Sequence, residues 1–151
     1  MGMKLTEDNY YSLEANREYM SVSQYKDFVG TYGRKGCEEM ALAKIRGEFS
    51  EPPSTAMMVG SYVDSYYEGT LDKYKKDNPV MFRQDGQLKS PYIKAEEIIR
   101  RTERDKVFQN YMSGEKQVIM TGELFGIPWK IKMDSYLVDK AIVDLKVMAS
   151  L

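Results

Sequence analysis

The sequence changes its period at Lys116, and this change constrains the fold more than any other feature. Upstream, apolar residues recur at helical spacing. From Lys116 to Val147 they alternate with polar ones. Val118, Met120 and Leu124 form one run. Ile127, Trp129, Ile131, Met133 and Leu137 form a second, alternating with Lys130, Lys132, Asp134 and Tyr136. Ala141, Val143, Leu145 and Val147 form a third, alternating with Asp144 and Lys146. Phe125-Gly126 and Asp139-Lys140 separate the runs as turns. The pattern predicts a three-stranded antiparallel meander over residues 116–147 with one apolar face. The fold class expected is α+β, with a mainly helical 1–115 packed on that meander in a single domain of 151 residues.

The helical half has its own punctuation. Ser21 and Ser23 are N-cap candidates ahead of Tyr25, Phe28 and Val29. A short helix is expected from Cys37 to Ile45, stopped by Gly47, and Pro52-Pro53 marks a loop. Thr55 to Leu71 is the clearest amphipathic stretch. Its apolar stripe is Val59, Tyr62, Val63, Tyr66 and Tyr67, and Ser61, Asp64 and Glu68 share another face. After a loop with a strand fragment at Val80–Phe82, Ser90-Pro91 opens a helix expected to run to about Met112. That helix interleaves Arg100, Arg101, Arg104 and Lys106 with Glu96, Glu97 and Glu103, which predicts a salt-bridged solvent face.

The apolar pattern also sets the register of the second hairpin. A two-residue loop at Asp139-Lys140 would mix apolar and charged residues on each face. A three-residue loop, Val138 to Lys140, pairs Leu137 with Ala141, Ser135 with Val143 and Met133 with Leu145. It also sets Asp134 opposite Asp144, with Cβ atoms about 4.5–5.5 Å apart. Such a loop favours glycine at its left-handed position, and none is present. Two carboxylates at that spacing repel unless a cation lies between them. They predict a magnesium or manganese site, with Lys146 two residues along the same face and Lys130 and Lys132 placed to touch a phosphate backbone. Alternating charges on an exposed hairpin give the same pattern with no site at all.

Composition narrows the chemistry. There is no histidine and a single cysteine, Cys37, so histidine bases, histidine ligands and multi-cysteine zinc sites are excluded. A bound metal would have oxygen ligands. The formal net charge of −1 gives no global attraction to nucleic acid, so any polyanion site is local. The sequence has no apolar run of membrane-spanning length, and a cytoplasmic protein with no membrane partner is expected.

Three stretches in order carry a resemblance. Gly126-Ile127-Pro128-Trp129-Lys130-Ile131-Lys132-Met133-Asp134 followed by Ile142-Val143-Asp144-Leu145-Lys146 resembles the core of the PD-(D/E)xK nucleases. More narrowly, it is similar to the phage RecE-type and lambda-exonuclease-like recombination nucleases. Met20 to Phe28 resembles the serine-rich entry of that group, and Val59-Gly60-Ser61-Tyr62-Val63-Asp64 resembles its Gly-x-x-x-His helix.

The resemblance implies a restriction-endonuclease-like core and Mg²⁺- or Mn²⁺-dependent hydrolysis of DNA. It implies Asp134 and Asp144 as catalytic metal ligands, the Leu145 carbonyl as a further ligand, and Lys146 as the catalytic lysine. Asp64 stands where many members have histidine and would ligate the same cation, although Asp64 and Glu68 can equally be a solvated face. Glu123 reads as a solvated strand charge or a DNA-side contact. The implied partners are DNA, a second copy of the chain and a phage single-strand annealing protein. The family core continues past the lysine with a helix and a strand, whereas only Val147 to Leu151 follow here. The core is therefore expected to be incomplete at the C-terminus. A non-catalytic nuclease-like scaffold that binds DNA or protein is the alternative function.

Overall fold

The computed structural model describes residues 2–148. In chain order the elements are α1 (Leu13–Glu18), α2 (Val22–Val29), β1 (Gly30–Thr31), β2 (Arg34–Lys35), α3 (Glu38–Arg46), α4 (Thr55–Glu68) and α5 (Leu71–Asp77). They continue with a 3-10 turn at Pro79–Met81, α6 (Ser90–Glu103), α7 (Lys106–Tyr111), β3 (Val118–Leu124), β4 (Ile127–Met133), β5 (Ser135–Leu137) and β6 (Ala141–Val143). This is the α+β class expected. Two compact units result: Met1–Pro52 with Ile119–Lys132, and Pro53–Val118 with Met133–Leu151.

In the first unit, Ser21 caps α2 through a reciprocal capping box with Gln24. Gly47 closes α3 in the left-handed conformation. β3 and β4 are hydrogen-bonded neighbours. Their turn has positive φ at both Phe125 (55°) and Gly126 (72°), which matches the twist of a tight antiparallel hairpin. Met20 bonds to this hairpin through Pro128 O and Lys130 N, at 2.8 and 2.9 Å.

The expected facing of β4 does not hold. Lys130 is buried, at 2% exposure, while Ile127 and Ile131 are exposed. The Lys130 amine lies over the Tyr10 ring at 4.7 Å and donates to Tyr10 O at 2.6 Å and Asn16 Oδ1 at 2.7 Å. Ile131 instead lines an open apolar groove with Val22, Met120, Leu124 and Trp129.

In the second unit, Ser54 caps α4 and Gly69 ends it in the left-handed conformation. The core is Tyr62, Val63, Met81, Tyr92, Ala95 and Ile99, with Leu145 and Val147 packed against it. The helix expected from Ser90 to Met112 is two helices. It breaks at Arg104-Asp105, because the Asp105 carboxylate caps a new start by accepting from Val107 and Phe108 N–H, both at 3.0 Å. The salt-bridged face expected on α6 is also different. Glu96 bonds Tyr62 and Lys75, and Glu103 bonds Tyr66, so both turn away from the arginines.

The second hairpin has the expected register: Ser135 with Val143, Tyr136 with Ile142, and Leu137 with Ala141. Asp139 supplies the left-handed position at φ 57° without a glycine. The meander is not continuous, however. Asp134 is a bend between β4 and β5, and the described strands pair as separate two-stranded sheets.

Candidate active site

Asp64, Lys116, Gln117, Asp134, Asp144, Leu145 and Lys146 all belong to the second unit. Asp64 sits on α4, on the turn after Tyr62 and Val63, which are buried in the core. That anchoring turns Asp64 away from the apolar stripe, with Glu68 one turn further along. Asp134 occupies the bend between β4 and β5. Asp144, Leu145 and Lys146 follow β6, where Leu145 and Val147 point into the core while Asp144 and Lys146 stay exposed.

Strand pairing stops at Ser135–Val143, one step short of the expected Asp134–Asp144 pair. The Leu145 N–H instead donates to Asp134 Oδ2 at 2.6 Å, so a side chain takes a bond that a backbone carbonyl would take in a longer ladder. This fixes the Asp134 carboxylate to the backbone of the Asp144-Leu145-Lys146 segment. Lys146 Nζ reaches Asp144 at 2.8 Å to Oδ1 and 2.7 Å to Oδ2, in an exposed pair that contributes little to stability.

Asp64 is the most perturbed carboxyl group of the site. Burial, then the negative charges of Asp134 and Glu68, push its pKa up from 3.8 to about 7, with Asp144 adding to this and Lys146 opposing it. Its Oδ1 is buried and accepts no hydrogen bond. Buried carboxylate oxygens without a donor are rare and costly, and they mark places where an ion, a water or a proton belongs. Asp64 and Asp134 therefore share one electrostatic environment. Among the described residues, though, no three acidic side chains stand close enough to clasp an ion as they lie. The two observations concern different ranges. Charge coupling reaches well beyond ligand distance.

Two residues escaped the sequence reading. Lys116 Nζ is buried without a partner, and burial lowers its pKa while Asp134 opposes that shift. Gln117 Oε1 is likewise buried and unpaired, on a backbone with φ 54°. No periodicity marks either one, because both lie where the helical period gives way to the strand period. Lys130 and Lys132 belong to the first unit. The phosphate contact expected at Lys130 is not available, since its amine is engaged within the fold. Lys132 lies over the Tyr11 ring at 4.8 Å and the Tyr10 ring at 5.7 Å, and remains partly exposed. Glu123 is exposed and borders the apolar groove of that unit.

Comparison with known proteins gives a family and a structural relative. Residues 21–151 match the model of a PDDEXK-like domain of unknown function (DUF3799). No curated protein matches the chain. A crystal structure of a "putative exonuclease" from Eubacterium rectale is 65% identical, with a TM-score of 0.95 over 99% of this chain. The chain spans 56% of the length of that protein. Among the described residues no helix is long and apolar enough to cross a membrane.

Proposed function

Because this chain belongs to the PDDEXK-like family, with its restriction-endonuclease-like fold, we propose that it is a divalent-metal-dependent deoxyribonuclease domain. Its action would be exonucleolytic, of the kind used in phage recombination, with DNA as substrate. The observation that carries this reading is the buried, unpartnered Asp64 Oδ1 sharing its environment with Asp134. The exonuclease part is supported by the name of the Eubacterium rectale relative, and the recombination part by the motif resemblance alone.

The residues fit a hard cation. Asp64, Asp134 and Asp144, with the Leu145 carbonyl, are an all-oxygen donor set, and one oxygen lacks any other partner. Magnesium or manganese held there would supply Lewis acidity and a water of lowered pKa. The chain's own groups do the rest. The Leu145 N–H orients Asp134. Lys146, exposed beside Asp144, is placed to neutralise a phosphodiester oxygen. Burial of Asp64 makes its charge depend on the cation. Lys132, partly exposed in the first unit, would contact the DNA backbone.

Linear duplex DNA incubated with Mg²⁺ or Mn²⁺ tests the proposal. Degradation should fall by about 100-fold or more in Asp134→Asn and in Lys146→Ala. Degradation unaffected by either substitution would overturn it. The Asp144–Lys146 pair favours a second reading, a nuclease-like scaffold that binds DNA or protein without cutting. Intact DNA in the presence of either ion would decide for that reading.

A further inference from the structure

Glu115 and Tyr136 exchange both backbone hydrogen bonds, at 2.9 and 2.8 Å, as an antiparallel bridge. Antiparallel partners keep a constant sum of residue numbers, so counting on from this bridge sets Gln117 opposite Asp134. Opposed residues point to the same face. At Lys116 and Gln117 the chain is bent rather than paired, and so is Asp134 across from it. The break in pairing therefore falls on two opposed positions of the register, Gln117 and Asp134. Irregular strand backbone at such a point re-aims side chains.

Gln117 holds φ 54°, a left-handed conformation unusual for its residue type. Its Oε1 is buried without a donor, as is Asp64 Oδ1. Lys116 carries the complementary orphan, a buried ammonium that bonds neither oxygen. Both acceptors are thus left open. A buried acceptor left open suits a cation, and a neutral amide oxygen is a hard donor of the type magnesium and manganese accept.

We infer that the side-chain carbonyl of Gln117 is a further oxygen donor to the divalent cation of this site, joining Asp64 from the helix and Asp134 from across the break. The inference rests on the metal-dependent reading above.

Calorimetric titration of Mn²⁺ into the full chain tests it, with wild type, Gln117→Leu, Gln117→Glu and Asp134→Asn compared and their cation-free melting followed by circular dichroism. Gln117→Leu should bind about 10-fold more weakly. Gln117→Glu should bind more tightly than wild type, because it keeps the oxygen and adds charge. A role in packing alone would make both substitutions harmful in the same direction. Leucine binding as well as glutamine, or both variants binding more weakly, would overturn the inference while binding by wild type and its loss in Asp134→Asn upheld the metal site. Wild type that takes up no Mn²⁺ would overturn both.

Discussion

Asp64→Asn is expected to make the cation-free protein more stable at about pH 8, with a gain that shrinks towards zero near pH 4. The folded-state pKa of Asp64 is raised from 3.8 to about 7, by burial first and then by the Asp134 and Glu68 charges. The folded state therefore holds a proton that the unfolded chain has already released. Below the unfolded value both states are protonated and the group costs nothing. Between the two values the cost grows with pH, and above the folded value it is complete and constant.

A gap of about three units corresponds to about 4 kcal/mol, and partial exposure with proton sharing among the carboxylates reduces this to about 2 kcal/mol. For a chain of this size that is a rise of about 4–8 °C in Tm. The assay is thermal denaturation with a chelator present, wild type against variant, across this pH range. Adding Mg²⁺ should then stabilise wild type at high pH and leave the variant little changed. A difference in Tm that does not vary with pH would refute the reasoning, because asparagine would then be acting through packing rather than through the removed charge.

Two further outcomes follow from the fold. Lys130→Met keeps the buried stem but strands two acceptors, Tyr10 O and Asn16 Oδ1, and should cost about 1.5–3 kcal/mol in urea denaturation. If DNA affinity fell while stability did not, Lys130 would be a surface contact after all. Gly114→Ala would bring a Cβ within 2.4 Å of Tyr136 O and 2.7 Å of Ser135 Oγ, against the bridge that supports the site. It should lower stability by about 2 kcal/mol or more, and a variant melting like wild type would show that this bridge yields easily.

Some of this was legible in the sequence for physical reasons. The three-residue loop at Val138–Lys140 followed from segregating apolar residues, and the register it implied is the one observed. The missing glycine proved no obstacle, since aspartate tolerates the left-handed conformation that Asp139 adopts. Lys130 was illegible for the opposite reason. Its burial depends on acceptors 114 and 120 residues away, which no local pattern encodes. The division of the last long helix was similarly hidden, because Asp105 restarts it by capping rather than through a glycine or proline. Of the site, the sequence pattern showed Asp134, Asp144 and Lys146, and the family resemblance pointed to Asp64. The orphaned atoms of Lys116 and Gln117 became visible only once the break in pairing was located in space.

The hydrogen bond from the Leu145 amide to Asp134 has a use beyond holding a carboxylate. An amide proton resting on a carboxylate oxygen is a built-in spectroscopic probe. Its chemical shift responds to the charge on that oxygen, and its exchange with solvent responds to how often the bond opens. Because Leu145 lies between Asp144 and Lys146 and is packed against the core, this one nucleus reports on ion uptake, on protonation and on the docking of the segment, with no catalytic group altered.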